Sequence, residues 1–234
     1  MVTEPADQTP LVLLHGLGQA PMAWEDVVVP LYPTRRLLTP WVPGLKPTEK
    51  RAVPVADAAA ALDSALMLEG LEQVDLCGVS YGAVVATRLA ADFPQRVRRL
   101  VLIGGQVKPP RGLMKLQSGM LRLMPASRLA DSSVSKERLL QTLEVVRQID
   151  LTDALPRITA PTLVLVGAKD RPNHPAARAL AEGIADAELR EVPGAGHQVN
   201  TDQPKVLVEI LRGFLDASDS VDSGQIETQD EAGE

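Results

Sequence analysis

One short segment of the chain has residue types and spacing that could make a serine nucleophilic. Gly78-Val79-Ser80-Tyr81-Gly82 follows a short apolar run and precedes an alanine-rich stretch with helical spacing. A sharp turn from a strand into a helix needs small residues on both sides of its central residue, and it holds that side chain exposed at the helix N-terminus. A glycine-rich turn with an incidental serine would show the same letters, so the interpretation depends on the rest of the chain.

A serine hydroxyl becomes a strong nucleophile only when a base takes its proton and an acid fixes the tautomer of that base. Of the three histidines, His197 is the best candidate base, because it lies in a glycine-rich loop after the last predicted strand. His174 is interpreted as a solvated loop residue, and His15 as a structural residue of the loop after the first strand. Asp170 is the candidate acid, since it lies just beyond another predicted strand, although a plain turn or helix-capping aspartate would fit the same position.

Short apolar runs alternate with helical stretches after Pro10, and this alternation predicts an α/β fold with a mostly parallel, doubly wound sheet of six or seven strands. The runs are continuous rather than alternating, which is typical of strands covered by helices on both faces. The predicted strands are residues 11–14, 36–39, 73–77, 97–103, 162–166 and 189–192, and the predicted helices are 54–69, 82–93, 175–184 and 202–215. Because Ser80, Asp170 and His197 all follow strand ends, we expect them at the same edge of the sheet.

Residues 1–216 are expected to form a single domain, with a helical insertion at about 107–150. The insertion has helix-like apolar spacing and no strand pattern. From residue 216 onward the chain has seven acids and no lysine or arginine. Since so few of its residues are apolar, the segment 217–234 is predicted to be a disordered acidic tail.

The distribution of charge excludes several classes of partner. The net charge is −6, but without those seven C-terminal acids 24 basic residues face 23 acidic ones. A nearly neutral body without a basic stripe has no electrostatic reason to bind nucleic acid. No segment reaches the roughly 18 apolar residues of a membrane span, and the first ten residues do not resemble a signal peptide. These features predict a cytoplasmic protein with neither a nucleic-acid nor a membrane partner. The single cysteine, Cys77, cannot form an internal disulfide, which agrees with a reducing compartment.

Together these features resemble the α/β-hydrolase fold superfamily, in its serine esterase or lactonase form with a short helical cap. The resemblance runs from about Leu11 to Leu215. It is carried by the Gly78 to Gly82 motif, by Gly-Ala-Lys-Asp ending at Asp170 and by Gly-Ala-Gly-His ending at His197. The family's chain order of nucleophile, acid and base is matched by these positions.

The resemblance also implies an oxyanion hole and a roofed pocket. Two backbone N–H groups, at Leu17 and Tyr81, match the family's oxyanion-hole positions. The insertion takes the place of the family's cap, and its flexible methionines would give an adaptable apolar pocket. The expected pocket residues are Trp41, Met114, Met120 and Met124.

The sequence therefore predicts a serine hydrolase that cleaves a small, mainly apolar carboxylic ester or lactone through an acyl-enzyme. No metal or organic cofactor is implied, and the only expected partner is the small-molecule substrate. A peptidase, a C–C bond hydrolase, an acyltransferase or a perhydrolase could use the same three residues, because a fold does not determine its reaction. A ligand-binding receptor or regulatory protein with slow turnover is the alternative from another class.

Overall fold

In the computed structural model, six parallel strands form one sheet at the centre of the protein. The structure describes residues 9–49, 51–109 and 135–217, and the isolated positions 119 and 123. The sheet has the strand order β2-β1-β3-β4-β5-β6, and every neighbouring pair is parallel. The strands are β1 (Leu11–Leu14), β2 (Leu37–Leu38), β3 (Val74–Val79), β4 (Val97–Ile103), β5 (Thr162–Gly167) and β6 (Ala187–Val192). The predicted α/β class with a mostly parallel sheet is confirmed.

Seven α-helices surround this sheet in the described part of the chain. They are α1 (Glu25–Leu31), α2 (Val55–Leu68), α3 (Tyr81–Asp92), α4 (Lys136–Arg147), α5 (His174–Gly183), α6 (Val199–Asp202) and α7 (Pro204–Leu215). The predicted helix at 202–215 is two helices in the structure, because Gln203 leaves helical geometry between them. None of the helices in these described ranges is both long enough and apolar enough to cross a membrane.

Helices cover both faces of the sheet, as the continuous apolar strands predict. Side chains alternate along a strand, so successive residues of β1 face opposite sides. Val12 and Leu14 pack in the core formed with α2, α3 and α5. Leu11 and Leu13 pack in the second core, which is formed with α1 and α7. The exception is β6, which is largely exposed because it forms one edge of the sheet.

The insertion between β4 and β5 is described only in part. Its described helix, α4, begins at a Ser135 cap whose hydroxyl accepts from the N–H of Arg138. The Arg138 guanidinium in turn donates to the carbonyl of Gly44 at 3.2 Å, which ties the helix to the main body. The three methionines expected in the pocket, Met114, Met120 and Met124, lie outside the described residues, as does the predicted acidic tail from residue 218 onward.

A buried ion cluster closes the end of the sheet opposite to the C-terminal strand ends. The Asp75 carboxylate, fully buried near the start of β3, accepts from Arg35 at 2.5 Å and from Arg98 at 2.6 and 2.9 Å. Arg98 also donates to the carbonyl of Leu215, and Arg35 pairs with Asp216. The end of α7 is thereby held to the sheet through two arginines.

We expect Asp75→Asn to lower the free energy of unfolding by about 3 to 5 kcal/mol, because it leaves two largely buried arginine charges without their shared carboxylate. Chemical denaturation measures this loss. Glu69→Gln is the control, since the Arg36–Glu69 pair is 3.9 Å apart and exposed, and it should cost less than about 1 kcal/mol. Equal costs for the two variants would show that the cluster does not stabilise the fold.

Candidate functional site

Ser80 lies at a strained turn between β3 and α3. The strand ends at Val79 and the helix begins at Tyr81, so a single residue makes the turn. The backbone of Ser80 has φ 54° and ψ −115°, and it is the one non-glycine residue with positive φ in the described part of the chain. Such a conformation costs on the order of 1 to 3 kcal/mol and persists only where the surroundings impose it.

The two glycines of the motif are required by close packing. A Cβ atom on Gly82 would lie 2.3 Å from the carbonyl oxygen of Leu14, at the end of β1. A Cβ atom on Gly78 would lie 2.5 Å from the carbonyl group of Gly82. Neither position can hold a larger residue without moving the turn, so this spacing of glycines is what allows Ser80 its place above the sheet.

The three residues expected to act together meet at the C-terminal edge of the sheet. His197 Nε2 is 3.0 Å from Ser80 Oγ, and His197 Nδ1 is 2.7 Å from Asp170 Oδ2. An ionised carboxylate only accepts hydrogen bonds, so the proton lies on Nδ1 and leaves Nε2 free to accept from the Ser80 hydroxyl. Asp170 is 8% exposed, whereas the His197 side chain is 39% exposed and faces the cavity. The arrangement can move a proton from Ser80 to His197 when a ligand enters.

Backbone contacts place the His197 ring. Gly104 follows β4 with φ +57°, and a Cβ atom there would lie 3.1 Å from both Cε1 and Nδ1 of the ring. The N–H of Gly196, the residue before His197, donates to Asp202 Oδ2 at 2.7 Å. The base is thus packed against the turn after β4, and its loop is bonded to the last residue of α6.

Asp170 has a second partner that the motifs do not reveal. Asn173 Nδ2 donates to both carboxylate oxygens, at 2.7 and 2.9 Å. The Asn173 Oδ1 atom in turn accepts from Gln106 Nε2, which reaches it from the loop after β4. The only sequence signal was an asparagine three residues after the acid in a proline-containing turn, which is also common in turns without function.

An apolar cavity of about 370 Å³ opens onto Ser80. Leu17 and Tyr81, the residues expected to supply oxyanion-hole N–H groups, both line it. The Tyr81 amide is in the first turn of α3, where N–H groups have no acceptor within the helix and carry the positive end of the helix dipole. The described wall consists of Leu17, Ser80, Tyr81, Val84, Gly104, Gln106, Pro109, Leu143, Val146, Asp170, Pro172, Asn173 and His197.

The other two histidines have different environments. His15 is fully buried; its Nε2 atom accepts from the N–H of Val42 at 3.2 Å and its Nδ1 atom donates to the Gly16 carbonyl at 3.0 Å. Burial lowers the pKa of His15, so the ring is neutral and holds its loop. His174 is not in a solvated loop as expected. It is the first residue of α5, with Nε2 3.2 Å from the carbonyl of Gly167, because the turn after β5 leads directly into that helix.

Trp41 packs edge-on against His15, with ring centroids 5.2 Å apart. It is absent from the cavity wall as far as the described residues define that wall. Its contribution to a pocket therefore stays a prediction, whereas Leu143 and Val146 of α4 are cavity residues that sequence reasoning did not single out.

Comparisons with known proteins agree with this fold. The sequence profile of the alpha/beta hydrolase family matches residues 11–210. Pimeloyl-[acyl-carrier protein] methyl ester esterase from Pectobacterium atrosepticum is 26% identical, over 92% of this chain and 97% of its own. Polyketide synthase ThaQ from Burkholderia thailandensis is 31% identical over 88% of this chain, which spans 12% of that protein's length.

A similar fold is also found among solved structures. The enol-lactonase from Burkholderia xenovorans LB400 superposes with a TM-score of 0.79 at 20% identity, covering 91% of this chain and 93% of its own. Since the family profile covers most of the residues and the sheet order and serine turn agree with it, this chain belongs to the alpha/beta hydrolase family.

Proposed function

We propose that the protein is a serine hydrolase that cleaves a small, mainly apolar carboxylic ester or lactone through an acyl-enzyme. The observation that carries this proposal is the continuous line of hydrogen bonds from Ser80 through His197 to Asp170, at the mouth of an apolar cavity. Each member has the partner that its role requires: the nucleophile contacts the base, and the base contacts the acid.

The proposed reaction has two halves. Ser80 Oγ attacks the acyl carbon while its proton moves to His197 Nε2, and the resulting tetrahedral intermediate collapses as that proton passes to the leaving alkoxide. An ester releases a free alcohol at this point, whereas a lactone keeps its new hydroxyl on the acyl chain. Water then attacks the acyl-enzyme, again giving its proton to His197, and the carboxylic acid leaves as Ser80 regains its hydrogen. Asp170 holds the ring and stabilises the transient imidazolium.

The negative charge that develops on the carbonyl oxygen would be held by the backbone N–H groups of Leu17 and Tyr81. Both residues line the cavity beside Ser80, and the amide of Tyr81 points from a helix N-terminus. Removing one such donor in a serine hydrolase costs about 2.7 to 4 kcal/mol of transition-state stabilisation, so these amides would contribute substantially to the rate.

The cavity wall favours an uncharged, apolar acyl group. Aliphatic side chains from two helices line it, namely Val84 of α3 and Leu143 and Val146 of α4. No lysine or arginine belongs to the wall within the described ranges, and the Asp170 carboxylate is already bonded to His197 and Asn173. This described part of the wall offers no counter-charge for an anionic substrate group. The relative named a methyl ester esterase supports the choice of an ester.

Turnover of p-nitrophenyl butyrate tests this proposal. We expect the protein to release many equivalents of p-nitrophenol per chain at a steady rate. A single stoichiometric release followed by arrest would instead indicate a receptor or regulatory protein that is acylated once, and it would overturn the hydrolase proposal. The corresponding anilide distinguishes ester cleavage from amide hydrolysis.

Shortening Leu143 should change which acyl chains the protein prefers. Leu143→Ala enlarges the cavity, so the ratio of kcat/KM for octanoate esters to kcat/KM for butyrate esters should rise. The expected change in this ratio corresponds to roughly 1 to 3 kcal/mol of transition-state stabilisation. Leu139→Ala is the matched control, because Leu139 is buried on the same helix but does not line the cavity. It should lower stability by about 2 to 5 kcal/mol without changing the ratio. Equal ratios in the two variants would mean that α4 does not border the acyl site.

A further inference from the structure

Asn173 joins the acid of the candidate site to the cavity wall. Its amide nitrogen contacts both oxygens of Asp170, and its carbonyl oxygen accepts from the Gln106 amide. The two residues come from different strand ends, since Gln106 follows β4 and Asn173 follows β5. Both line the cavity beside Ser80. These contacts connect the loop after β4 to the acid of the proposed triad.

Asp170 and Gln106 together determine which way the Asn173 amide faces. If the amide were rotated by 180°, its oxygen would face the Asp170 carboxylate and its NH₂ group would face the NH₂ group of Gln106. Both contacts would then pair like partners, acceptor with acceptor and donor with donor. The acceptor-only carboxylate of Asp170 and the donor of Gln106 therefore hold Asn173 with its NH₂ group on Asp170.

The amide and the imidazole bind the same carboxylate. Asn173 Nδ2 is 3.2 Å from His197 Nδ1, and both nitrogens are within 2.9 Å of Asp170 Oδ2. With the proton on Nδ1, neither nitrogen can accept from the other, so both donate to the carboxylate. Two converging donors fix its orientation more firmly than one, and they share its negative charge.

We propose that Asn173, locked by Gln106, is a positioning residue that keeps the Asp170 carboxylate aimed at His197 Nδ1 and limits how strongly that carboxylate favours the imidazolium. This proposal rests on the hydrolase function proposed above. Asn173 acts through Asp170 and does not itself need to touch the substrate.

The surrounding charges do not duplicate this role. Besides Asp170 and His197, the ionisable side chain in the described cavity wall is Tyr81, and burial raises its pKa to about 12, so it is neutral. Lys169 and Arg171, the chain neighbours of Asp170, are exposed. Removing the donors of Asn173 should therefore affect mainly the interaction between Asp170 and His197.

The test is the pH dependence of kcat/KM for p-nitrophenyl butyrate in Asn173→Asp, Asn173→Leu and Gln106→Leu. Asn173→Asp puts a second carboxylate against Asp170, which stabilises the imidazolium form of His197. The acid limb of the pH profile of kcat/KM, where activity falls as the pH is lowered, should therefore move to higher pH by about one unit. Asn173→Leu should move the limb in the same direction by less, and both should lower kcat by about tenfold or more while changing KM little. Because Gln106 acts through Asn173, the double variant Gln106→Leu/Asn173→Leu should be no worse than Asn173→Leu alone.

Leu66→Ala is the control for a merely structural effect, because Leu66 is buried in α2 away from the cavity. It should lower the Tm without moving the acid limb. If the Asn173 variants keep the acid limb of the natural protein and a kcat within about twofold of it, the positioning role is wrong even though Ser80 remains the nucleophile. Should Asn173→Asp fail to fold, the Asn173→Leu and Gln106→Leu profiles decide. Activity that survives Ser80→Ala would instead refute the proposed function itself.

Discussion

Replacing Ser80 by alanine should abolish ester turnover, with a fall in kcat of about 10⁶-fold. The expected loss is this large because the acyl-enzyme cannot form without the hydroxyl, and a base and acid without a nucleophile contribute little. Alanine has the same Cβ atom, so it fits the turn at φ 54° as serine does, and the fold should be unchanged.

Thermal unfolding should confirm that Ser80→Ala has a Tm close to that of the natural protein. Ser64→Ala is the matched control, because Ser64 is exposed on α2 and its hydroxyl donates to the carbonyl of Ala60 in the same helix. It should keep full activity. If Ser80→Ala kept activity within about tenfold of the natural protein, another group would be the nucleophile.

The second large effect is expected for Asp170→Asn, which should lower kcat by about 10⁴-fold while preserving the fold. The amide cannot act as a pure acceptor for the Nδ1 proton, so His197 shifts toward the tautomer that has its proton on Nε2. In that tautomer the atom facing Ser80 is a donor and cannot take the serine proton. The new amide would also face the NH₂ group of Asn173, which now donates to the carboxylate.

Asp153→Asn serves as the comparison for Asp170→Asn, since Asp153 is exposed in the segment between α4 and β5. It should lose little activity. If instead Asp153→Asn were inactive and Asp170→Asn active, the assignment of Asp170 as the acid would be wrong. Steady-state kinetics at a pH above the acid limb measures both variants under conditions where the base is neutral.

Local patterns were sufficient to predict the sheet and the meeting of Ser80, Asp170 and His197. Each residue follows an apolar run, and parallel strands bring their C-terminal ends to one edge, so the prediction needed only the strands and their common direction. The observed ends of some strands differ from the predicted ends by one or two residues, because pairing with the neighbouring strand determines where a strand ends. For example, β2 is reduced to Leu37–Leu38, because only these residues pair with β1.

Features that depend on packing or on distant contacts were not predictable in this way. Helix α1 was missed because its sequence is rich in valine and contains Pro30, both unfavourable for a helix, and its burial against α7 overrides these preferences. The Gln106–Asn173 contact joins residues 67 positions apart and exists only after β4 and β5 have paired. No periodic pattern of apolar residues in the sequence predicts such a contact.

Labelling with a fluorophosphonate, followed by peptide mapping, tests whether Ser80 is an activated nucleophile. The reagent reacts with a serine that has both an activating base and donors for the phosphonyl oxygen, so it reports the assembled site rather than the residue alone. We expect one label per chain on the peptide containing Ser80 and none in Ser80→Ala. A label on another residue, or labelling that persists in Ser80→Ala, would contradict this assignment.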